Sequence, residues 1–192
     1  MTAIHFVLVT LFLMQRLITE CLYDLQVSGA RFWGLFQKVC RVPENFFKNC
    51  FVYNFCPLAY MSESGKNVTP PQLVHSELDQ INEICDVGLV ELVKLMNIRV
   101  IIAVGKFVQQ RASKALHNAG IMNVKVECIL HPSPINPHAN KGWEQIVAKQ
   151  LIEMNVMHYL NPDMEDVQRC IEEWERIAQS NVKMPAIEKG DF

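Results

Sequence analysis

A histidine stands where an apolar run stops. Cys128-Ile129-Leu130 leads into His131, and Pro132-Ser133-Pro134 follows at once. An imidazole held at a partly dry junction can donate a hydrogen bond to negative charge as it develops on a leaving group. Prolines on both sides of Ser133 fix φ at two positions, so the loop meets a ligand with little entropy left to lose. Asn54 closes a second apolar run, "CFVYN", and its carboxamide sets a donor beside an acceptor. That pair matches one edge of a pyrimidine such as uracil, a carbonyl acceptor next to an N–H donor; cytosine presents the opposite order there. Gly105 closes a third run, "RVIIAV", just before a helical segment whose first backbone N–H groups suit an anion.

Each of these residues also has a plainer reading. A histidine after a strand is often a cap or a surface residue, and an asparagine there often closes a turn. Pro-Ser-Pro makes a rigid loop, and one glycine at a strand-to-helix turn is routine. Lys106 and Lys141 read as solvated charges, and Trp143 as a core anchor for its helix. The joint occurrence is what points to a site, and it needs all three strands parallel, with their carboxyl ends on one rim.

The pattern along the chain supplies those strands. "CFVYNFCPL", "RVIIAVG" and "VKVECIL" read as short buried strands. Helical spacing predicts helices over "GARFWGLFQKVC" with Ser28 as N-cap, over Ser76–Met96, over "KFVQQRASKALHNAG" with glycine at C′, and over "GWEQIVAKQLIEMN". "VPENFF" breaks the pattern, and "MSESGKNVTPPQ" reads as a loop. Asn161-Pro162-Asp163 opens a last helix with the stripe Val167, Cys170, Ile171, Trp174 and Ile177, before a loose end at "VKMPAIEKGDF". Strands alternating with helices imply an α/β fold of β-α-β units with helices on both faces. The run Ile4–Met14 is too short for a confident membrane span and reads as a buried strand or helix.

Half of the 192 residues are hydrophobic, enough for a sizeable core. The seven cysteines form no C-x-x-C pair and read as free thiols in a reducing compartment; no Cys/His cluster suggests zinc. The net charge of −2 argues against a uniformly basic nucleic-acid binder. Charge is uneven, however: residues 25–143 carry 12 Lys/Arg against 8 Asp/Glu, and residues 144–192 carry 5 against 10. The middle can meet phosphates locally, and the tail is acidic.

Five segments carry a family resemblance: "SGARFWGLFQKVC", "FFKNCFVYNFCPL", "SGKNVTPPQL", "RVIIAVGKFVQQRASKAL" and "HPSPINPHANKGWEQIVAKQLIEM". Together they resemble the single-strand-selective monofunctional uracil-DNA glycosylases, within the uracil-DNA glycosylase superfamily, from about Val27 to about Leu160. The resemblance implies a three-layer α/β/α sandwich on a short parallel sheet and a nuclear, monomeric base-excision repair enzyme. It implies action on uracil and oxidised uracil derivatives in single- and double-stranded DNA, with no metal, cofactor or membrane. His131 is then the residue that stabilises the departing uracil anion, and Asn54 the one that reads the flipped base. Pro132, Ser133, Pro134, Ile135, Asn136, Asn140 and Lys141 form the loop that wedges into the duplex. Gly105, Lys106, Ser64, Gly65 and Lys66 lie near DNA.

Two departures stand out. The family's G-M-N-P-G-P motif, with its water-positioning asparagine and a base-stacking aromatic, matches nothing between Met1 and Val27. Its leading strand belongs mid-sheet, between "CFVYN" and "RVIIAV"; either "FVLVTLFLM" stands in for it or a slot with two bare strand edges remains. Ile135 also stands where the wedge loop normally has arginine, which leaves an apolar wedge without a cation. The chain divides accordingly into a divergent apolar segment 1–26, a glycosylase-like domain 27–160 and an acidic helix and tail 161–192, and it reads as N-terminally incomplete. Its expected function is a uracil-DNA glycosylase with turnover impaired by the missing motif. The alternatives are a catalytically impaired DNA-binding module and a non-functional truncated fragment.

Overall fold

The computed structural model describes residues 6–10, 23–58, 60–65, 67–68 and 72–181. Its centre is a four-stranded, all-parallel sheet in the order β2-β1-β5-β6. These strands are β1 (Phe6–Thr10), β2 (Cys50–Asn54), β5 (Val100–Val104) and β6 (Lys125–Ile129). A minor antiparallel ladder joins β3 (Tyr60–Met61) to β4 (Asn67–Val68). The helices are α1 (Tyr23–Cys40), α2 (Pro43–Asn49), α3 (His75–Leu95), α4 (Lys106–Asn118), α5 (Trp143–Glu153), α6 (Met157–Leu160) and α7 (Met164–Asn181).

The segment "FVLVT" takes the central slot. β1 pairs with β2 from Phe6↔Cys50 to Thr10↔Asn54, and with β5 from Phe6↔Val100 to Val9↔Ala103. All five of its residues are buried. A central parallel strand covered on both faces has to read as a continuous apolar run, and this one does. Phe6 and Leu8 enter one core cluster, with Phe32, Leu35, Phe36, Trp143, Val147 and Leu151 of α1 and α5. Val7 and Val9 enter the other, with Cys85, Leu89, Val93, Val108 and Ala112 of α3 and α4. The two clusters define the outer layers: α1, α2, α5, α6 and α7 on one face, α3 and α4 on the other. Each large apolar side chain buried here contributes about 1.5–3 kcal/mol.

Three local expectations are corrected. Ser28 is no N-cap; α1 begins at Tyr23 and carries Ser28 and Gly29 in its interior. Their poor helix propensity costs about 1 kcal/mol, less than burial of Phe32, Leu35, Phe36 and Val39 returns along the same helix. "VPENFF" is not a break but the start of α2, with Pro43 in its first turn and Phe46 buried. Within "MSESGKNVTPPQ", a turn closed by Gly65 N–H donating to the Ser62 carbonyl (2.9 Å) joins β3 to β4. The other seven strand and helix expectations match β2, α3, β5, α4, β6, α5 and α7 within a few residues, and Gly120 follows α4 at φ +68°.

The C-terminal helix α7 belongs to the α1/α5 core through Val167, Cys170, Ile171 and Trp174. Buried Asn161 fastens its start: Nδ2 donates to the Val39 carbonyl (2.8 Å), and Oδ1 accepts from Asp163 N–H (3.0 Å). Arg41, in the left-handed conformation after α1 (φ 64°), donates to both Asp166 oxygens at 2.7 and 2.9 Å. That pairing holds the Asp166 carboxyl down at about 2. The six cysteines among the described residues are free thiols. Among those residues no helix is long and apolar enough to cross a membrane.

If β1 is the middle of the sheet, Leu8→Ala should lower unfolding free energy by about 2–5 kcal/mol, the range for a fully buried leucine. Urea denaturation reads this directly. A loss within experimental error would place the segment outside the core.

Candidate functional site

Parallel pairing brings the carboxyl ends of β1, β2, β5 and β6 to one rim, and Thr10, Asn54, Gly105 and His131 all stand at or just beyond those ends. Asn54 and His131 belong to the two edge strands, three strand spacings or roughly 14 Å apart along the sheet. Strand alternation aims Thr10 and Asn54 at one face: Thr10 continues the parity of Phe6 and Leu8, and Asn54 that of Cys50 and Val52, all in or against the α1/α5 cluster, whereas His131 lies two residues beyond the end of β6. Thr10, fully buried, donates its hydroxyl to Asn54 Oδ1 at 2.7 Å, and its carbonyl accepts the Phe55 N–H at 2.7 Å.

His131 is half-buried and its tautomer is set by the loop that follows it. Ser133 N–H donates to His131 Nδ1 at 3.1 Å. A nitrogen that accepts carries no proton, so the neutral ring holds its proton on Nε2. Burial also pushes the imidazole pKa below the ordinary 6.5, because the charged form loses hydration. Both effects favour a neutral ring that can donate one hydrogen bond from Nε2.

Gly105 is bound to this arrangement. Its backbone lies at φ 94° and ψ 156°, a conformation essentially closed to other residues. A Cβ placed there would sit 3.3 Å from His131 Cδ2 and 3.4 Å from His131 Cβ. Gly105 N–H also donates to the Ile129 carbonyl at 3.0 Å, which locks β5 to β6 just before the histidine.

The loop Pro132–Lys141 is braced internally and from α1. Arg31 Nη1 donates to the Pro132 carbonyl (3.0 Å) and Nη2 to Asn140 Oδ1 (2.9 Å). Asn140 Nδ2 in turn donates to the Pro134 carbonyl (2.8 Å), so this side chain holds the loop's shape. Ser133 Oγ accepts the Ile135 N–H (3.3 Å), and Asn136 Oδ1 accepts the His138 N–H (3.0 Å). Trp143 Nε1 ties α5 to the Leu130 carbonyl at 2.8 Å. Ile135, at the tip, is 90% exposed, whereas Pro132 is buried.

Of the remaining predicted residues, Lys141 and Lys106 are exposed, and Lys106 Nζ reaches Gln109 Oε1 at 3.2 Å. Ser64 and Gly65 lie between β3 and β4, in a ladder separate from the parallel sheet. Lys66 lies outside the described residues. No group of three or more His, Cys, Asp or Glu that could hold a metal occurs among the described residues.

Comparison with known proteins places this geometry. The chain is 45% identical over 136 residues to the single-strand selective monofunctional uracil DNA glycosylase of Bos taurus. It is 44% and 43% identical over 139 residues to those of Rattus norvegicus and Mus musculus. Over the matched span the chain is similar to this glycosylase family. The match covers 70–72% of the chain but 49% of each relative, so the chain spans about half the length of the proteins it matches. No family model matches.

Two of the residues just described carry little or no signal in the sequence. Arg31 lies inside the quoted segment "SGARFW", and its only sequence signal is a lone cation in a helix otherwise apolar at that point. Thr10 has none, because its partner is 44 residues away.

Gly105→Ala should cost about 1–3 kcal/mol from backbone strain alone and displace the imidazole as well. NMR titration of His131 checks the second effect. In the parent protein its pKa lies below 6.5. Folding stability therefore falls as pH drops from 6.5 through the folded value, since the unfolded chain takes up the proton first. In the alanine variant the ring gains water and the pKa should move back toward 6.5. An unchanged titration would separate Gly105 from the site.

Proposed function

We propose that this chain is a uracil-DNA glycosylase of base-excision repair, acting as a monomer in the nucleus on uracil and its oxidised derivatives in single- and double-stranded DNA. The observation that carries this reading is the rim itself. β1 completes the parallel sheet, with Asn54 at the carboxyl end of one edge strand and a neutral His131 just beyond that of the other. In the proposed reaction the target nucleotide leaves the stack and its base enters the crevice between them. Asn54 meets the uracil edge, with Oδ1 accepting from N3–H and Nδ2 donating to O4. The bond from C1′ to N1 then breaks, with the electron pair passing to the base. His131 Nε2–H donates a hydrogen bond to the carbonyl oxygen that gathers this charge, which lowers the barrier without protonating the base. Water adds to C1′, loses a proton to solvent and leaves an abasic sugar.

Loop chemistry supports DNA as the partner. Exposed Ile135 on a rigid loop suits an apolar wedge between base steps, and exposed Lys141 and Lys106, the latter at the N-terminus of α4, suit phosphate contact. The machinery for the attacking water is thinner. Residues 11–22, which follow β1, contain no asparagine, aspartate, glycine or proline. Nothing there reproduces the water-positioning asparagine of the family motif, so turnover is expected to be slower than in the relatives.

The test is release of uracil from a single-stranded and a duplex oligonucleotide by the full chain. Release should be slow, abolished by His131→Leu, and should decline on the acid side as the imidazole takes a second proton, with an apparent pKa below 6.5. No release, with no salt-sensitive DNA affinity, would overturn the proposal; release as fast as the relatives would overturn the expected impairment.

A further inference from the structure

A neutral imidazole donates from Nε2 only in the tautomer whose Nδ1 is bare. In this chain the bare state of Nδ1 hangs on one peptide unit. Pro132 has no N–H, so the first amide beyond the histidine is that of Ser133, and it donates to His131 Nδ1 at 3.1 Å. The same peptide unit carries the Pro132 carbonyl, which accepts from Arg31 Nη1 at 3.0 Å. In a trans peptide the carbonyl and the N–H point in opposite directions. A cation therefore grips one side of this peptide plane, and the imidazole rests on the other.

We infer that Arg31 is a positioning residue for base release: by holding the Pro132 carbonyl it fixes the Pro132–Ser133 peptide, and through the N–H of that peptide it keeps His131 in the tautomer that donates from Nε2. This role rests on the proposed reading of His131. Every link in the chain runs one way. A guanidinium and a backbone N–H only donate and a carbonyl only accepts, so Nδ1 has to be the acceptor. The peptide can turn only through Pro132 ψ and Ser133 φ, because the ring fixes Pro132 φ and Pro134 keeps Ser133 extended. Turned over, it would take its oxygen from Arg31 and present that oxygen to the ring, which would favour a proton on Nδ1. The bond to Arg31 opposes that turn with a charged donor, the stronger kind. A charged donor also polarises the peptide it grips and strengthens its N–H as a donor. Arg31 is itself anchored. Phe32 and Leu35 beside it on α1 are fully buried, and Nη2 donates to Asn140 Oδ1 at 2.9 Å.

The test reads the tautomer apart from the rate, so slow turnover does not obscure it. The ring nitrogens of His131 are followed by nitrogen NMR in the full chain, its Arg31→Met variant and its Arg31→Lys variant, at a pH well above 6.5 where the ring is neutral. The parent should show one bare and one protonated nitrogen. Methionine keeps the stem and removes the donors. The two nitrogen resonances should then move toward each other as the Nδ1–H tautomer mixes in. Uracil release should slow about tenfold, the scale of one charge-assisted hydrogen bond, in kcat rather than KM. Lysine returns one charged donor to the carbonyl and should restore the single tautomer and most of the rate. Should the methionine variant fail to fold, Arg31→Ala removes the same donors with the best of helix formers. A folded variant without these donors that keeps the parent's tautomer would overturn the inference, because an arginine that merely braces the loop alters stability without moving the ring proton. That result leaves the reading of His131 standing. Uracil release that survives His131→Leu would overturn that reading, and this inference with it.

Discussion

The structure depends on five residues of parallel pairing. "FVLVT" bonds to β2 on one side and β5 on the other. Without it, two apolar strand edges would face each other across a gap, and the crossovers through α3 and around α1 would have no sheet to close on. With it, each face of the sheet becomes a continuous apolar floor, one for α1 and α5 and one for α3 and α4. The same pairing sets the site. Register places Thr10 against Asn54, and the order β2-β1-β5-β6 sets Asn54 and His131 at the two edges of one rim. Fold and proposed chemistry therefore share a single cause.

The site is rigid on one side and adapted on the other. On the β6 side, Gly105 presses against the imidazole, Ser133 fixes its tautomer, and Arg31 with Asn140 braces the loop beyond it. None of these groups has to move for His131 to donate from Nε2, which is what preorganised stabilisation of a leaving group requires. On the β2 side, the carboxamide of Asn54 is held by a residue from the strand that fills the centre. The relatives span about twice the matched length.

Much of this was readable from residue types. Buried strands announce themselves as β-branched runs, so β2, β5 and β6 followed from "CFVYN", "RVIIAV" and "VKVECIL", and with them the placement of Asn54, Gly105 and His131 on one rim. The seat of "FVLVT" was legible as one of two outcomes, because an apolar run of that length does not say which neighbours it finds. Ser28 misled because a good capping residue has no effect when the apolar stripe continues through it. α2 was hidden by a proline that breaks a helix in its interior but begins one in its first turn. The roles of Arg31 and Thr10 were not legible, although Arg31 stands out as a lone cation in an apolar helical stretch. Their roles lie in bonds spanning 101, 109 and 44 residues, and such pairings exist only once the sheet has formed.

Hydrogen exchange at the amides of Val7, Leu8 and Val9 tests the central claim most directly. Successive amides of a central strand bond alternately to its two neighbours, so they should exchange as slowly as those of Ile101 and Ile102, by global unfolding alone. Rapid exchange across Phe6–Thr10, with β5 still protected, would contradict the account: the strand would not be in the sheet, and the alignment of Asn54 with His131 would have lost its cause.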